Sequence, residues 1–305
     1  MTEFSTTASR TTKVAVVTAL ALSALLMSSC SGSGPAASTA PTAVADEVFA
    51  DGKGRYADIN GGRMYFEVHG TGAPLILLHG GLLAGEATFG AMIPELTKTR
   101  QVIVLDLQAH GHSPDFDRPL SYEALADDVA RLIDHLALGK ADVLGYSLGG
   151  GVALQVAARN PDLVDRLIVA SAPYRSSGWL PDTRAGMAMM DPDTMRQTPL
   201  YQMYAAAAPD PAGWTSLVTK TRQLLTQDYD WTAQLARIHA PTLVLAAETD
   251  ALARDHAIEM TARLEADTPG RARLEVLPGT THNDIMLRPD LLLPLITGFL
   301  DNRAG

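Results

Sequence analysis

The sequence predicts an α/β fold, a mostly parallel doubly wound sheet with helices on both faces, and two observations carry that prediction. First, short continuous apolar runs such as Ala73-Pro-Leu-Ile-Leu-Leu78 and Gln101-Val-Ile-Val-Leu105 read as strands buried on both faces, and they alternate with stretches of helical periodicity. Second, Asp142-Val-Leu-Gly145-Tyr-Ser147-Leu148-Gly149-Gly-Gly151 passes from a strand-like run through a tight serine turn straight into an Ala-rich helix pattern. A serine hydroxyl is a weak nucleophile, so it must be lifted onto a sharp turn where a base can reach it, and the crowded turn leaves room for little side chain on either side. Gly145 and Gly149 meet that demand. The alternative for such a turn is a phosphate loop, but no Lys follows these glycines and no Gly-x-Gly-x-x-Gly occurs.

The remaining elements follow in order. Tyr56 to His69 holds two strand-like runs joined by Asn60-Gly61, a hairpin signal that opens the sheet with an antiparallel edge. After the strand 73–78, Ala87 to Leu96 is expected to be helical, and Tyr122 to Leu136 is a second helix with Leu125, Val129, Leu132, Ile133 and Leu136 on one face. A strand at 165–172 ends the first half. From about 173 to 239 no buried strand can be found, and the stretch holds Met187, Met189, Met190, Met195 and Met203 with Trp179, Trp214 and Trp231. It reads as a helical insertion whose methionines either line a pocket for a flexible apolar group or seat the insertion on the core. Strand 241–250, helix 254–264, strand 272–277 and helix 289–300 close the chain.

Composition bounds the function. With 305 residues, 47% of them hydrophobic, the chain can build a large core, and a net charge of −10 argues against nucleic acid or an anionic membrane surface as partner. The eight histidines show no metal-ligand spacing and no His-Glu-x-x-His occurs, so neither a metal nor another cofactor is implied. The single cysteine, Cys30, excludes an intramolecular disulfide. It closes a segment with Arg10 and Lys13 followed by the small and apolar run Val14 to Met27, which is shorter than the roughly 20 apolar residues of a membrane-spanning helix. That segment reads as a signal peptide (1–29), and its ending, Leu26-Met-Ser-Ser-Cys30, resembles a bacterial lipobox with Met27 where Leu is preferred. The resemblance implies a lipidated Cys30, membrane attachment through the N-terminal lipid alone and a place in the cell envelope. An ordinary cleaved signal peptide and a secreted protein are the alternative. Residues 30–48 then form a tether, rich in Ser, Gly, Pro and Ala and free of aromatics, ahead of a domain at 49–305.

His79-Gly80 after the third strand, the loop Asp106 to Ser113 after the fourth, the elbow at Ser147, Asp250 after a late strand and His282 near the C-terminus together resemble the α/β-hydrolase superfamily over residue 50 onward. The resemblance implies Ser147 as nucleophile, His282 as base and Asp250 as the acid that orients it, in the superfamily's order Ser, acid, His. Glu248, two residues before Asp250, is the competing carboxylate, and Ala247 stands where a glycine is common. The backbone N–H groups of Gly81 and Leu148 are expected to form the oxyanion hole. His79, His110 and His112 read as loop residues held by hydrogen bonds. The insertion lies where the superfamily carries its lid. The expected activity is cleavage of a small-molecule carboxylic ester with an apolar acyl group. A C–C bond hydrolase, a thioesterase or a cofactor-free perhydrolase on the same triad are alternatives, as is a non-catalytic ligand-binding lipoprotein. The oligomeric state is not legible in the sequence.

Overall fold

A computed structural model describes residues 51–302 of the protein; the signal-peptide reading, Cys30 and the tether all lie outside the described residues. Strands β1 (Arg55–Ile59) and β2 (Gly62–His69) form the expected hairpin, with Asn60 and Gly61 both at positive φ, 47° and 86°. That is the backbone a two-residue turn needs to match the twist of its strands. Then come β3 (Ala73–Leu78), α1 (Gly85–Phe89), α2 (Ile93–Leu96), β4 (Arg100–Leu105), α3 (Tyr122–His135), β5 (Ala141–Tyr146), α4 (Leu148–Arg159) and β6 (Val164–Ala170). Helices α5 (Pro181–Ala188), α6 (Pro192–Met195), α7 (Pro199–Ala207), α8 (Trp214–Thr226) and α9 (Thr232–Leu235) fill the stretch before β7 (Thr242–Thr249). The chain closes with α10 (Arg254–Glu265), β8 (Ala272–Thr281) and α11 (Pro289–Asp301).

The eight strands form one sheet in the order β1-β2-β4-β3-β5-β6-β7-β8, antiparallel at the β1-β2-β4 edge and parallel from β4 to β8. Successive side chains of each central strand feed opposite faces, as the pleat requires. Leu75, Leu77, Val102, Val104, Leu144, Leu243 and Leu245 pack with Phe89, Met92, Leu292 and Ile296 of the α1, α2 and α11 side. Ile76, Leu78, Ile103, Leu105, Val143, Val169 and Val244 pack with Leu125, Val129, Val152, Val156 and Met260 of α3, α4 and α10. Each such fully buried aliphatic side chain contributes about 1.5–3 kcal/mol of transfer free energy, which is why these strands read as unbroken apolar runs.

One helix differs from the sequence reading. The single helix expected over 87–96 is two short ones, because Pro94 has no N–H to donate and its ring would strike the carbonyl four residues earlier. The helix therefore stops at Gly90 and restarts with Pro94 in its first turn. The β6–β7 segment is helical as expected, and its tryptophans, Trp179, Trp214 and Trp231, are all buried. Its methionines divide: Met187 and Met190 pack against the main core, whereas Met189 is 80% exposed.

Candidate active site

The elbow is built by strand register. β3 and β5 pair with Leu78 opposite Gly145, so the turns that follow, His79-Gly80-Gly81 and Tyr146-Ser147-Leu148, emerge side by side at the C-terminal edge of the sheet. Open parallel sheets hold their ligands at that edge. Ser147 has φ 53° and ψ −116°, a backbone state that L-residues rarely adopt. The turn closes with Ser147 N–H donating to Ala170 O at 2.9 Å and Gly149 N–H to His79 O at 3.1 Å. The glycines are steric necessities: a Cβ at Gly145 would stand 2.1 Å from Gly149 O, and one at Gly149 would stand 2.2 Å from Leu78 O.

Asp250 and His282 meet by the same logic towards the other side of the sheet. A register slip between Ala247 and Thr249 brings Thr249 opposite Thr281, and the next residues along, Asp250 and His282, face each other. Asp250 Oδ1 lies 2.7 Å from His282 Nδ1, and His282 Nε2 lies 3.0 Å from Ser147 Oγ. The three predicted residues are thus one hydrogen-bonded chain. Asp250 Oδ2 also accepts from Ser171 Oγ at 2.6 Å and from Ala247 N–H at 2.8 Å, and Leu252 N–H reaches Oδ1 at 3.2 Å. Burial alone would push this carboxyl up, but the bonds and charge of His282, with Ser171 and Ala247, outweigh it and hold Asp250 below its ordinary value. An ionised Asp250 accepts the Nδ1 proton, which leaves Nε2 as the free acceptor for the serine hydroxyl. Glu248 points away: its Oε2 accepts from Gly279 N–H at 2.7 Å on the surface. Ala247 keeps φ out of the positive region, so this turn needs no glycine there.

Three neighbours escaped the sequence reading. Tyr146, the residue between Gly145 and Ser147, donates its hydroxyl to His282 O at 2.5 Å, and burial raises its pKa so that it stays a donor. Trp179 stands edge-on to the imidazole of His282, with ring centres 5.7 Å apart. Ser171 follows β6 directly, one strand from Asp250, and its φ of 51° aims the hydroxyl at the carboxylate. Adjacency of β6 and β7 was the only available signal for Ser171. Among the described residues the backbone N–H groups of Gly81 and Leu148 donate to no protein acceptor. His79 is wholly buried, with Nδ1 donating to Gly80 O at 2.7 Å and Nε2 accepting from Leu107 N–H at 3.0 Å, so it ties two loops together. Burial, with the neighbouring His79, brings His110 down to about 3, and it stays neutral.

This arrangement has known counterparts. Residues 73–212 match the family described as alpha/beta hydrolase fold. The chain has the α/β-hydrolase fold. Among its relatives is RutD of Azorhizobium caulinodans, provisionally named a carbamate hydrolase, 27% identical over 80% of this chain and 97% of that one. The 2-(acetamidomethylene)succinate hydrolase of Mesorhizobium japonicum is 28% identical over 79% of this chain and 93% of that protein. A thermophilic esterase from Thermogutta terrifontis superposes with a TM-score of 0.64 at 25% identity, covering 82% of this chain and 98% of that one.

On the edge of this α/β-hydrolase fold that carries the His79-Gly80-Gly81 turn, a cavity of about 450 Å³ opens beside that turn. Its walls are Leu82, Leu83, Ala84, Ala87 and Val104 with Met203, Ala206 and Ala207 of the helical segment, and its polar rim is Tyr65, Glu67, Glu86, Asp106 and His112. Ser147 and His282 are not among the walls; the link is the chain itself, since Leu82 follows Gly81.

Proposed function

We propose that the protein is a serine hydrolase of carboxylic esters. The observation that carries this reading is the unbroken relay from Ser147 Oγ through His282 to Asp250, at 3.0 and 2.7 Å. In the proposed reaction His282 Nε2 takes the Ser147 proton as Oγ attacks the ester carbonyl, and the carbonyl oxygen becomes an anion beside the Gly81 and Leu148 N–H groups. His282 then hands the proton to the departing alkoxide, which leaves as the alcohol. Water, deprotonated by the same nitrogen, attacks the acyl-serine and releases the acid. No step draws on a metal or cofactor.

The cavity bears on the substrate. Its walls are mainly aliphatic and its charged rim holds three carboxylates and no Lys or Arg, which suits an uncharged apolar substrate group and repels a carboxylate. That argues against a dicarboxylate of the kind named for the Mesorhizobium japonicum relative. Cleavage of a C–C bond or a thioester on the same triad is the second reading, favoured only by the same relay.

The test is fluorophosphonate labelling alongside hydrolysis of p-nitrophenyl esters of graded acyl length. Wild type labels and turns over, and Ser147→Ala does neither while melting at the wild-type temperature; a variant within about tenfold of wild-type turnover would end the covalent mechanism. We further propose that export attaches the domain to the outer face of a bacterial membrane through a lipid on Cys30, the only cysteine. Cys30→Ala is expected either to move the protein out of the detergent phase in Triton partition or to leave it as an unprocessed precursor, and an unchanged distribution with normal processing would refute the anchor.

A further inference from the structure

Thr221, in the middle of α8, is fully buried against the oxyanion loop. A side-chain carbon added at Gly81 would lie 3.3 Å from Thr221 Cγ2 and 3.5 Å from Leu148 Cδ1, so the three residues meet at one point. The Thr221 hydroxyl is buried and makes no hydrogen bond to the protein. Four other threonines, buried or half-buried in helices or in a helical turn, behave differently. Thr88, Thr226, Thr261 and Thr297 each donate to the carbonyl four residues back, at 2.9, 2.8, 2.9 and 2.7 Å. Thr221 has the Leu217 carbonyl at the same offset and leaves it unused. A buried hydroxyl left unpaired destabilises a fold, so valine, of the same shape, would be the better residue here if packing were its only task.

We propose that the Thr221 hydroxyl is a side-chain donor to the substrate carbonyl oxygen, completing from the helical segment the oxyanion position that the Gly81 and Leu148 N–H groups form from the core. Rotation about Cα–Cβ brings Oγ1 to the place of Cγ2, the atom facing Gly81, and threonine is the β-branched residue that keeps two χ1 states in a helix. The donor then acts where negative charge develops in the transition state, on a carbonyl already held by two backbone groups. Catalysis by this site therefore requires α8 to be seated, which couples the β6–β7 segment to the chemistry itself. The inference rests on the ester-hydrolase reading.

The experiment compares wild type, Thr221→Val and Thr221→Ser in the full chain, using p-nitrophenyl butyrate and a trifluoromethyl ketone that mimics the tetrahedral adduct. Loss of one oxyanion donor typically lowers kcat by about 10²–10³. Thr221→Val is expected to lower kcat at least about tenfold with KM within about threefold, to weaken the ketone by a similar factor and to melt no lower than wild type. Thr221→Ser, which keeps the hydroxyl, is expected to stay within about threefold of wild type. Two results overturn the proposal: a valine variant with wild-type kcat and ketone affinity, or valine and serine variants impaired alike, which would mark a packing role. If wild type itself neither hydrolyses the ester nor labels with fluorophosphonate, the hydrolase reading fails and this inference falls with it.

Discussion

Two aspartate–histidine pairs stand at the C-terminal edge of this sheet, and only one of them faces a serine. Asp106 follows β4 and meets His112 Nδ1 at 2.9 Å; Asp250 follows β7 and meets His282 Nδ1 at 2.7 Å. Both carboxylates are buried, with side chains 4% and 3% exposed, and both are held below their ordinary pKa by hydrogen bonds that outweigh burial. The difference lies in what each pair joins. Asp106 and His112 are six residues apart in one loop, where the same carboxylate also takes N–H groups from Gly85 and His112 and the imidazole stacks on Tyr65 at 4.2 Å. Asp250 and His282 bridge two strand ends, and the imidazole nitrogen left over is directed at Ser147. An Asp–His contact alone is a loop staple; it becomes a candidate base only when the second nitrogen has somewhere to send a proton.

The sharpest way to break that contrast is at the acids. Asp250→Asn keeps the fold but favours the wrong imidazole tautomer; in chymotrypsin-like serine proteases the equivalent change costs about 10⁴ in kcat, and a loss of at least about 10² is expected here. Glu248→Gln is expected to stay within about threefold, since glutamine still accepts from Gly279 N–H. Steady-state kinetics on one ester decide between them, and the reverse ranking would move the acid to Glu248.

The smallest effect belongs to the staple. The hydrogen bond to Asp106, against some opposition from burial, raises the pKa of His112. A raised folded-state value means the stabilisation is complete below the unfolded value of about 6.5 and is lost as pH climbs through the folded value. Wild type is thus expected to lose a little thermal stability on going from pH 6 to above neutrality. His112→Gln should remove that slope while keeping ester turnover within about threefold. Melting curves at pH 6 and 8.5 test the first statement, and a tenfold loss of turnover would show that the two pairs are less distinct than their geometry.

The sequence made the sheet legible because its central strands are buried on both faces, and burial leaves an unbroken apolar trace. The elbow was legible because steric crowding fixes glycine at 145 and 149. Asp250 and His282 were readable from chain order, but the register slip between Ala247 and Thr249 that sets them opposite each other leaves no mark in composition. Ser171, Trp179 and Thr221 were not readable at all, since each reaches the site from an element whose neighbours are decided by tertiary packing. The break at Pro94 was available in principle, and the helical periodicity around it masked it.

The backbone of Ser147 places opposing demands on one residue. A side chain at φ 53° costs about 1–2 kcal/mol that glycine would not incur, yet glycine carries no hydroxyl to attack with. For the backbone alone glycine would be the easier residue here, and the proposed reaction gives the serine a reason to stand in its place. A descendant released from the reaction would have reason to lose its nucleophile before its fold.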